Sequence, residues 1–348
     1  MIYSKLKILY IWEHDVSMGD SFTNFHIHLS AIRDKHPSAI IYSIVHPRTY
    51  NTGVTNIFLL RGLIDYVLPL QIQEIKSPLY SHYRKILKNI DVVIHVNHSS
   101  LKSVNILREL YPSSIHLQTQ ESNFGLTSVE EYCNIYGNES DKLIKKSFHT
   151  DYVEQFKIDV ISMAENKKMI GIFAGSSRPL ANLGCDGIQK IMEIARKHNI
   201  YTYLIGTSTF NIYDVNNIGV KWEGISNIDV DDSCNLVGNN WFKTISVMKN
   251  LDLIISGPTG ASLISPIINM KSIVILGGDT TIMDGCLNIF TDRSYTSNIN
   301  CKCVNYPCEL LLEKQDIDKY NGCYSNGYAE CLNNGINIDD IELKLKEL

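Results

Sequence analysis

Short apolar runs recur along this chain with amphipathic stretches between them. Ile8 to Trp12, Ala39 to Val45, Val92 to Val96 and Ser114 to Leu117 read as strands, while Asn24 to Asp34 and Ser100 to Leu110 carry helical spacing. Alternation of this kind implies a parallel sheet whose strands are joined by crossover helices. A polar stretch from Tyr136 to Lys146 breaks the pattern and marks a linker. The pattern then restarts, with strands at Met169 to Phe173, Tyr201 to Ile205, Leu251 to Ile255 and Ser272 to Leu276 and helices at Gly187 to His198, Trp241 to Lys249 and Ala261 to Ile268. The expectation is α/β: a first Rossmann-like domain over 1–145 and a second over 146–290, facing a shared cleft where small-molecule sites commonly form. A cysteine-rich tail with a terminal helix is expected over 291–348.

Length agrees with two domains, because 348 residues exceed what one hydrophobic core usually serves. With 32 basic against 37 acidic side chains and no Lys/Arg stripe beside clustered aromatics, the footprint of a nucleic-acid partner is missing. No apolar run approaches the ~18 residues of a membrane span. Glu13 and Asp15 directly follow the first apolar run, unlike a signal peptide. A cytoplasmic protein is expected, and in that reducing compartment the nine cysteines read as thiols or metal ligands rather than disulfides.

Three turns carry candidate chemistry. Ser17-Met18-Gly19-Asp20 follows the first strand, so Asp20 lies where Rossmann-like units place their chemistry and is the candidate catalytic base; a plain helix N-cap would suit the same residue. Gly175-Ser176-Ser177-Arg178 and Gly257-Pro258-Thr259-Gly260-Ala261-Ser262 each follow a strand in the second half. There, backbone N–H groups, hydroxyls and a helix dipole suit a diphosphate, although Gly and Ser also make turns for purely structural reasons. His26 and His28, two apart, fall on different helix faces and do not form a metal pair. His98, just past a strand, is placed to touch donor or acceptor without a catalytic role.

In order and spacing, these turns, together with Gly238-Asn239-Asn240 before a helix and the Asp91 to Leu110 stretch, resemble glycosyltransferase family 9, the lipopolysaccharide heptosyltransferases, over most of residues 5–285. The resemblance implies a GT-B fold, an acceptor-binding N-terminal domain, a nucleotide-sugar-binding C-terminal domain, and inverting sugar transfer that needs no catalytic metal. It implies Asp20 as general base and Ser176, Ser177, Arg178, Asn240, Thr259, Gly260, Ala261 and Ser262 as donor-binding residues. The chain departs from the family pattern at three positions, holding Ala181, Pro258 and Leu263 where a Lys, an acidic residue and a His are usual. Arg178 is the cation that can replace the missing Lys.

Five cysteines crowd the last fifty residues as Cys301-x-Cys303-x4-Cys308-x14-Cys323-x7-Cys331. Four thiolates on one ion make the tetrahedral site typical of zinc or iron. The expected ligands are Cys303, Cys308, Cys323 and Cys331, with Cys301 as a substitute; buried or free thiols are the plainer reading. The cluster resembles the iron-holding module of autotransporter heptosyltransferases, with different spacing. Cys133, Cys185, Cys234 and Cys286 are scattered and read as structural.

The expected activity is transfer of a sugar from a nucleotide-sugar donor to a hydroxyl of a glycan, lipid or protein, ADP-heptose being one such donor. Two alternatives stay open: a non-catalytic nucleotide-sugar-binding protein on a degenerate scaffold, motivated by Ala181, Pro258 and Leu263, and another nucleotide-sugar enzyme such as an epimerase. Sugar, nucleotide base, acceptor and oligomeric state are not encoded in any of these motifs.

Overall fold

The computed structural model describes residues 5–13, 25–95, 100–118, 167–173, 175, 182–206, 211–213, 219–221, 228, 235–238, 240–268, 270–277, 296–302 and 330–348. Two compact units emerge: Met1–Ser147 with Asn240–Phe242, and Phe148–Asn239 with Lys243–Leu348.

The first unit is built on strands β1 (Lys7–Trp12), β2 (Ile40–Val45), β3 (Tyr66–Pro69), β4 (Val92–His95) and β5 (Ile115–Gln118), with helices α1 (His26–Lys35), α2 (Pro47–Asn51), α3 (Val54–Leu60), α4 (Ser81–Ile86) and α5 (Leu101–Leu110). The sheet order is β3-β2-β1-β4-β5, and every neighbouring pair is parallel. β1 is apolar at nearly every position because both its faces are covered. Leu9, Ile11, Ile44, Val93 and Leu107 of α5 share one core cluster. On β1's other residues, Trp12 stacks on Phe25 at 4.0 Å between ring centroids, and the Tyr10 hydroxyl lies 3.2 Å from His28 Nδ1.

Between β2 and β4 the periodicity announces nothing, yet three short helices and β3 lie there. Helices of five to seven residues are too short to show a repeat. β3 is a four-residue edge strand ending in Pro69 with Tyr66 exposed, as edge positions allow.

The second unit carries β6 (Met169–Phe173), α6 (Cys185–Lys197), β7 (Tyr201–Gly206), β8 (Asn211–Tyr213), β9 (Gly219–Lys221), β10 (Asn235–Val237), α7 (Trp241–Met248), β11 (Leu253–Ser256), α8 (Gly260–Ile267), β12 (Ser272–Leu276), β13 (Thr296–Asn300) and α9 (Ile338–Lys346). Six strands pair in parallel in the order β10-β7-β6-β11-β12-β13, and β8 and β9 form a separate antiparallel pair. Counted along the chain the six-stranded order is 3-2-1-4-5-6, the dinucleotide-fold arrangement.

Parts of the 291–348 stretch, expected as a cysteine-rich tail with a terminal helix, are built into this unit. β13, polar in sequence, pairs with β12, and the segment from Glu330 onward docks on α6. Helix α6 buries Ile188, Ile191, Met192 and Ala195, the i, i+3, i+4, i+7 stripe of an amphipathic helix, and ends where Asn199 takes φ +57°. Its N-cap, Gly184, has no side chain to offer. Asn333 supplies the cap from the far end of the chain: its Oδ1 accepts the N–H groups of Asp186 (2.9 Å) and Gly187 (3.3 Å), and its Nδ2 donates to Asp186 Oδ2 (2.9 Å). Glycine is required at the cap, since a Cβ on Gly184 would lie 2.2 Å from Asn333 Oδ1. At the other end of α6, Glu342 of α9 receives His198 and Lys197. His198, then Lys197 and Lys346, hold its carboxyl down to about 2.

Two outcomes follow. Asn333→Ala strips two N–H groups of their acceptor and is expected to lower stability by about 1–3 kcal/mol in urea unfolding. Burial also holds the His28 imidazole down to about 3, so the fold favours the neutral ring. Its contribution is whole above the unfolded value near 6.5 and is lost as pH falls toward the folded value. Wild-type protein is therefore expected to lose roughly 3 kcal/mol between pH 6.5 and pH 4 through this group, and His28→Leu to flatten that dependence in pH-resolved urea midpoints.

Candidate functional site

Parallel strands put all their following loops on one edge, and ligands gather there where the strand order reverses. In the second unit the reversal falls between β6 and β11, which are paired with Phe173 opposite Ser256. Those two residues end the strands that lead into the two Gly/Ser turns. The turns therefore spring from adjacent strands at the switch point, although the sequence separates them by about eighty residues. Gly175 is buried; Ser176, Ser177, Arg178 and Ala181 lie outside the described residues.

The second turn is described throughout, and its hydroxyls are engaged within it. Ser262 Oγ donates to Thr259 O (2.6 Å) and accepts the Thr259 N–H (3.1 Å), while Thr259 Oγ1 accepts the Ala261 N–H (3.3 Å). Thr259 is 4% exposed, and Ala261 and Ser262 are fully buried. These two side chains thus build the turn and cap α8. Pro258 and Gly260 are partly exposed, the Ala261 and Ser262 N–H groups are taken up by Thr259, and the positive end of the α8 dipole lies at the turn. Ser256, the last residue of β11, has a buried Oγ without a hydrogen-bond partner. A small polar residue closing an otherwise apolar strand was the available signal.

Asn240 is exposed immediately before α7 and groups with the first unit. Asp20 and His98 lie outside the described residues; the strand leading to Asp20, β1, is the central one and borders the first sheet's own reversal, between β1 and β4. At that reversal the structure shows two groups that sequence reasoning passed over. Glu13, one residue beyond β1, accepts the Ser103 hydroxyl on Oε1, and its Oε2 is buried without a partner. His95, the last residue of β4, is 1% exposed, and burial first, then His116 and Arg108, lower its imidazole to about 4.

Of the expected metal ligands, Cys303, Cys308 and Cys323 lie outside the described residues. Cys331 and the substitute Cys301 are each 6% exposed and belong to the apolar core of the second unit, with Cys185 packed against it; none of the three is in a disulfide. The Lys302 N–H donates to Gly335 O at 2.6 Å. Among the described residues no group of three or more His, Cys, Asp or Glu side chains is placed to hold a metal ion, and no helix is long and apolar enough to cross a membrane.

No protein-family model matches the chain, and no curated protein matches it in sequence. Solved structures do. A glycosyltransferase family 9 protein from Veillonella parvula superposes with a TM-score of 0.63 at 12% identity, covering 100% of this chain and 98% of that one. The E. coli ADP-heptose lipopolysaccharide heptosyltransferase II gives 0.64 at 12% identity, over 99% and 100%. The iron-containing dodecameric glycosyltransferase TibC of enterotoxigenic E. coli gives 0.54 at 10% identity, over 99% of this chain and 78% of that one. The fold is of the GT-B type: two parallel-sheet α/β domains, as in these family 9 structures.

Proposed function

We propose that this protein is an inverting, nucleotide-sugar-dependent glycosyltransferase acting on a hydroxyl acceptor. The observation that carries the reading is the Phe173–Ser256 pairing, from which two glycine- and hydroxyl-rich turns leave adjacent strands at the switch point of the second sheet. A donor diphosphate fits there on backbone N–H groups and the dipole of α8. Gly260 lets phosphate approach the main chain, and Arg178 supplies the cation. Likeness to structures of ADP-heptose enzymes supports ADP-heptose as the donor to test first.

In this reading the acceptor oxygen forms a bond to the anomeric carbon on the face opposite the diphosphate, and the bond from that carbon to the diphosphate oxygen breaks. The acceptor proton passes to the Asp20 carboxylate. Negative charge growing on the departing diphosphate is stabilised by dipoles already in place. Asn240, just before α7, is assigned to donor binding on the family resemblance alone. We place the enzyme in the cytoplasm, and assign one zinc or iron ion to Cys303, Cys308, Cys323 and Cys331 as a structural group.

Asp20→Asn is expected to lower turnover of ADP-heptose roughly 10²-fold while calorimetric donor affinity is kept. Arg178→Ala and Gly260→Val are expected to weaken donor affinity roughly tenfold, by loss of a charge-assisted bond and by blocking the approach of phosphate. Wild-type protein that binds ADP-heptose yet neither transfers nor hydrolyses it would favour the non-catalytic reading. For the metal, elemental analysis of protein purified without chelator is expected to find close to one ion per chain, lost in Cys308→Ser because ligand set and local folding are coupled. Absence of metal from wild-type protein would remove the assignment.

A further inference from the structure

A cavity of about 260 Å³ opens on the first unit between the end of α4, the turn before β4 and the turn before β5. It stands at the amino ends of those two strands, on the opposite edge of the sheet from the loops that follow the strands. Of the residues lining it, Leu87 and Ile90 are buried, Arg84, Leu110 and Tyr111 are half-buried, and Lys88 and Ser113 are exposed. The volume is just below the roughly 300–1,000 Å³ of drug-sized ligand sites, which leaves room for a small molecule.

Two cations and no carboxylate line this cavity. The whole chain has a formal net charge of -5, yet from Ile75 to Ile90 it holds Lys76, Arg84, Lys85 and Lys88 and no acidic residue. The neighbouring carboxylates are engaged elsewhere: Asp91 accepts the Lys7 N–H at 2.8 Å, and Glu109 pairs with Lys76. Among the described residues neither Arg84 nor Lys88 forms an ion pair. A cation near the end of a helix commonly does no more than answer the helix dipole. Arg84 goes further, because its Nη1 donates to Ile75 O (2.6 Å) and Ser77 O (3.1 Å), both ahead of α4. Its Nη2 and Nε are left without a protein acceptor among the described residues.

Burial, against the pull of Arg84, raises the Tyr111 phenol to about 12, so at neutral pH its O–H is kept as a donor. Both turns are fixed before any ligand arrives. Tyr111 O accepts from His116 Nε2 (3.0 Å) and from the Ser114 N–H (3.2 Å), the Ser114 hydroxyl donates to Ile90 O, and Lys88 O accepts from Lys7 Nζ (3.1 Å). Little ordering cost therefore remains for binding. What the cavity lacks is an acceptor that carries negative charge, and the apolar side chains beside the cations call for a ligand with a hydrocarbon part. A guanidinium and an ammonium suit phosphate oxygens. Three of these match Arg84, Lys88 and Tyr111, one more than a carboxylate offers.

We infer that this cavity binds a small phosphate monoester with an apolar body, Arg84 and Lys88 taking the charge and Tyr111 donating from its hydroxyl. The site does not depend on the glycosyltransferase reading, since none of the residues assigned to donor binding or catalysis lines it. A bound ester bridges the end of α4 and the turn after α5 and stabilises the first unit by mass action. A soluble ester and the headgroup of a phosphatidate lipid present the same chemistry, and exposed Leu79 and Ile86 lie on the same segment as Arg84.

Amide NMR of the full-length protein titrated with phenyl phosphate is the test, read residue by residue because a phosphate can also enter the turns of the second unit. The amides of Asn89, Tyr111 and Ser113 should move in a saturable way. Lys88→Gln, at an exposed position, should weaken that binding roughly tenfold, the size of one charge-assisted hydrogen bond. Tyr111→Phe should weaken it less, and Arg84→Lys, which keeps the charge and loses the fork, should weaken it as well. No saturable movement in wild-type protein would overturn the site. So would wild-type affinity in both Lys88→Gln and Arg84→Lys, or benzyl alcohol binding at the same amides as tightly as phenyl phosphate. Sedimentation with phosphatidylcholine vesicles, with and without phosphatidic acid, separates the two sources. Retention that needs phosphatidic acid and is lost in Lys88→Gln would support the site with a lipid headgroup as its ligand, and phenyl phosphate binding without retention would support it with a soluble ester. Retention unchanged in Lys88→Gln, with the three amides unmoved by phenyl phosphate, would count as surface adhesion and overturn the site.

Discussion

Parallel pairing is the constraint on which the rest of the structure depends. Each neighbouring pair within the two large sheets runs parallel, so each connection must cross over the sheet before the next strand begins. The crossovers cover both faces, which is why β1, β6 and β12 are apolar almost without interruption. Every loop after a strand then opens on the same edge of its sheet. The outward reversal of strand order leaves the middle of that edge without a crossover across it, between β6 and β11 in one unit and between β1 and β4 in the other.

Small residues mark the places where this economy is tightest. Gly171 lies within β6 and faces the side chains of Leu251 and Ile205, with no room for a Cβ. Gly184 and Gly187 leave space for Asn333 and for the backbone of Leu332 and Asn333, so the last nineteen residues become part of the second domain and cap a helix some 146 positions upstream. That helix, α6, follows the first Gly/Ser turn. Its first N–H groups are taken by Asn333, so the proposed donor site draws on α8 and the turn before it rather than on α6.

Much of the architecture was legible because long apolar runs and helical stripes survive in the sequence: β1, β6, β12 and the stripe on α6 all stand where the pattern puts them. What was not legible has a common cause. β3 and β13 are short edge strands exposed on one side, and β13 reads Thr-Ser-Asn-Ile-Asn, so neither carries an apolar signature. Asn333 cannot be recognised as a helix cap from its neighbours, because the helix it caps is far away in the chain. At the site, the two turns were visible as motifs, but the inward use of the Thr259 and Ser262 hydroxyls and the unpartnered buried atoms of Glu13 and His95 exist only once strands and helices are brought together.

The central claim is that the donor diphosphate sits at the β6–β11 switch point. Titration of ADP into 15N-glycine-labelled protein, followed by amide NMR, tests it most directly. The account predicts that the amides of Gly175, Gly257 and Gly260 move in a saturable way while those of Gly53 and Gly62, in the first unit, stay in place. ADP that leaves the first three unmoved, or that moves only the glycines of the first unit, would contradict it.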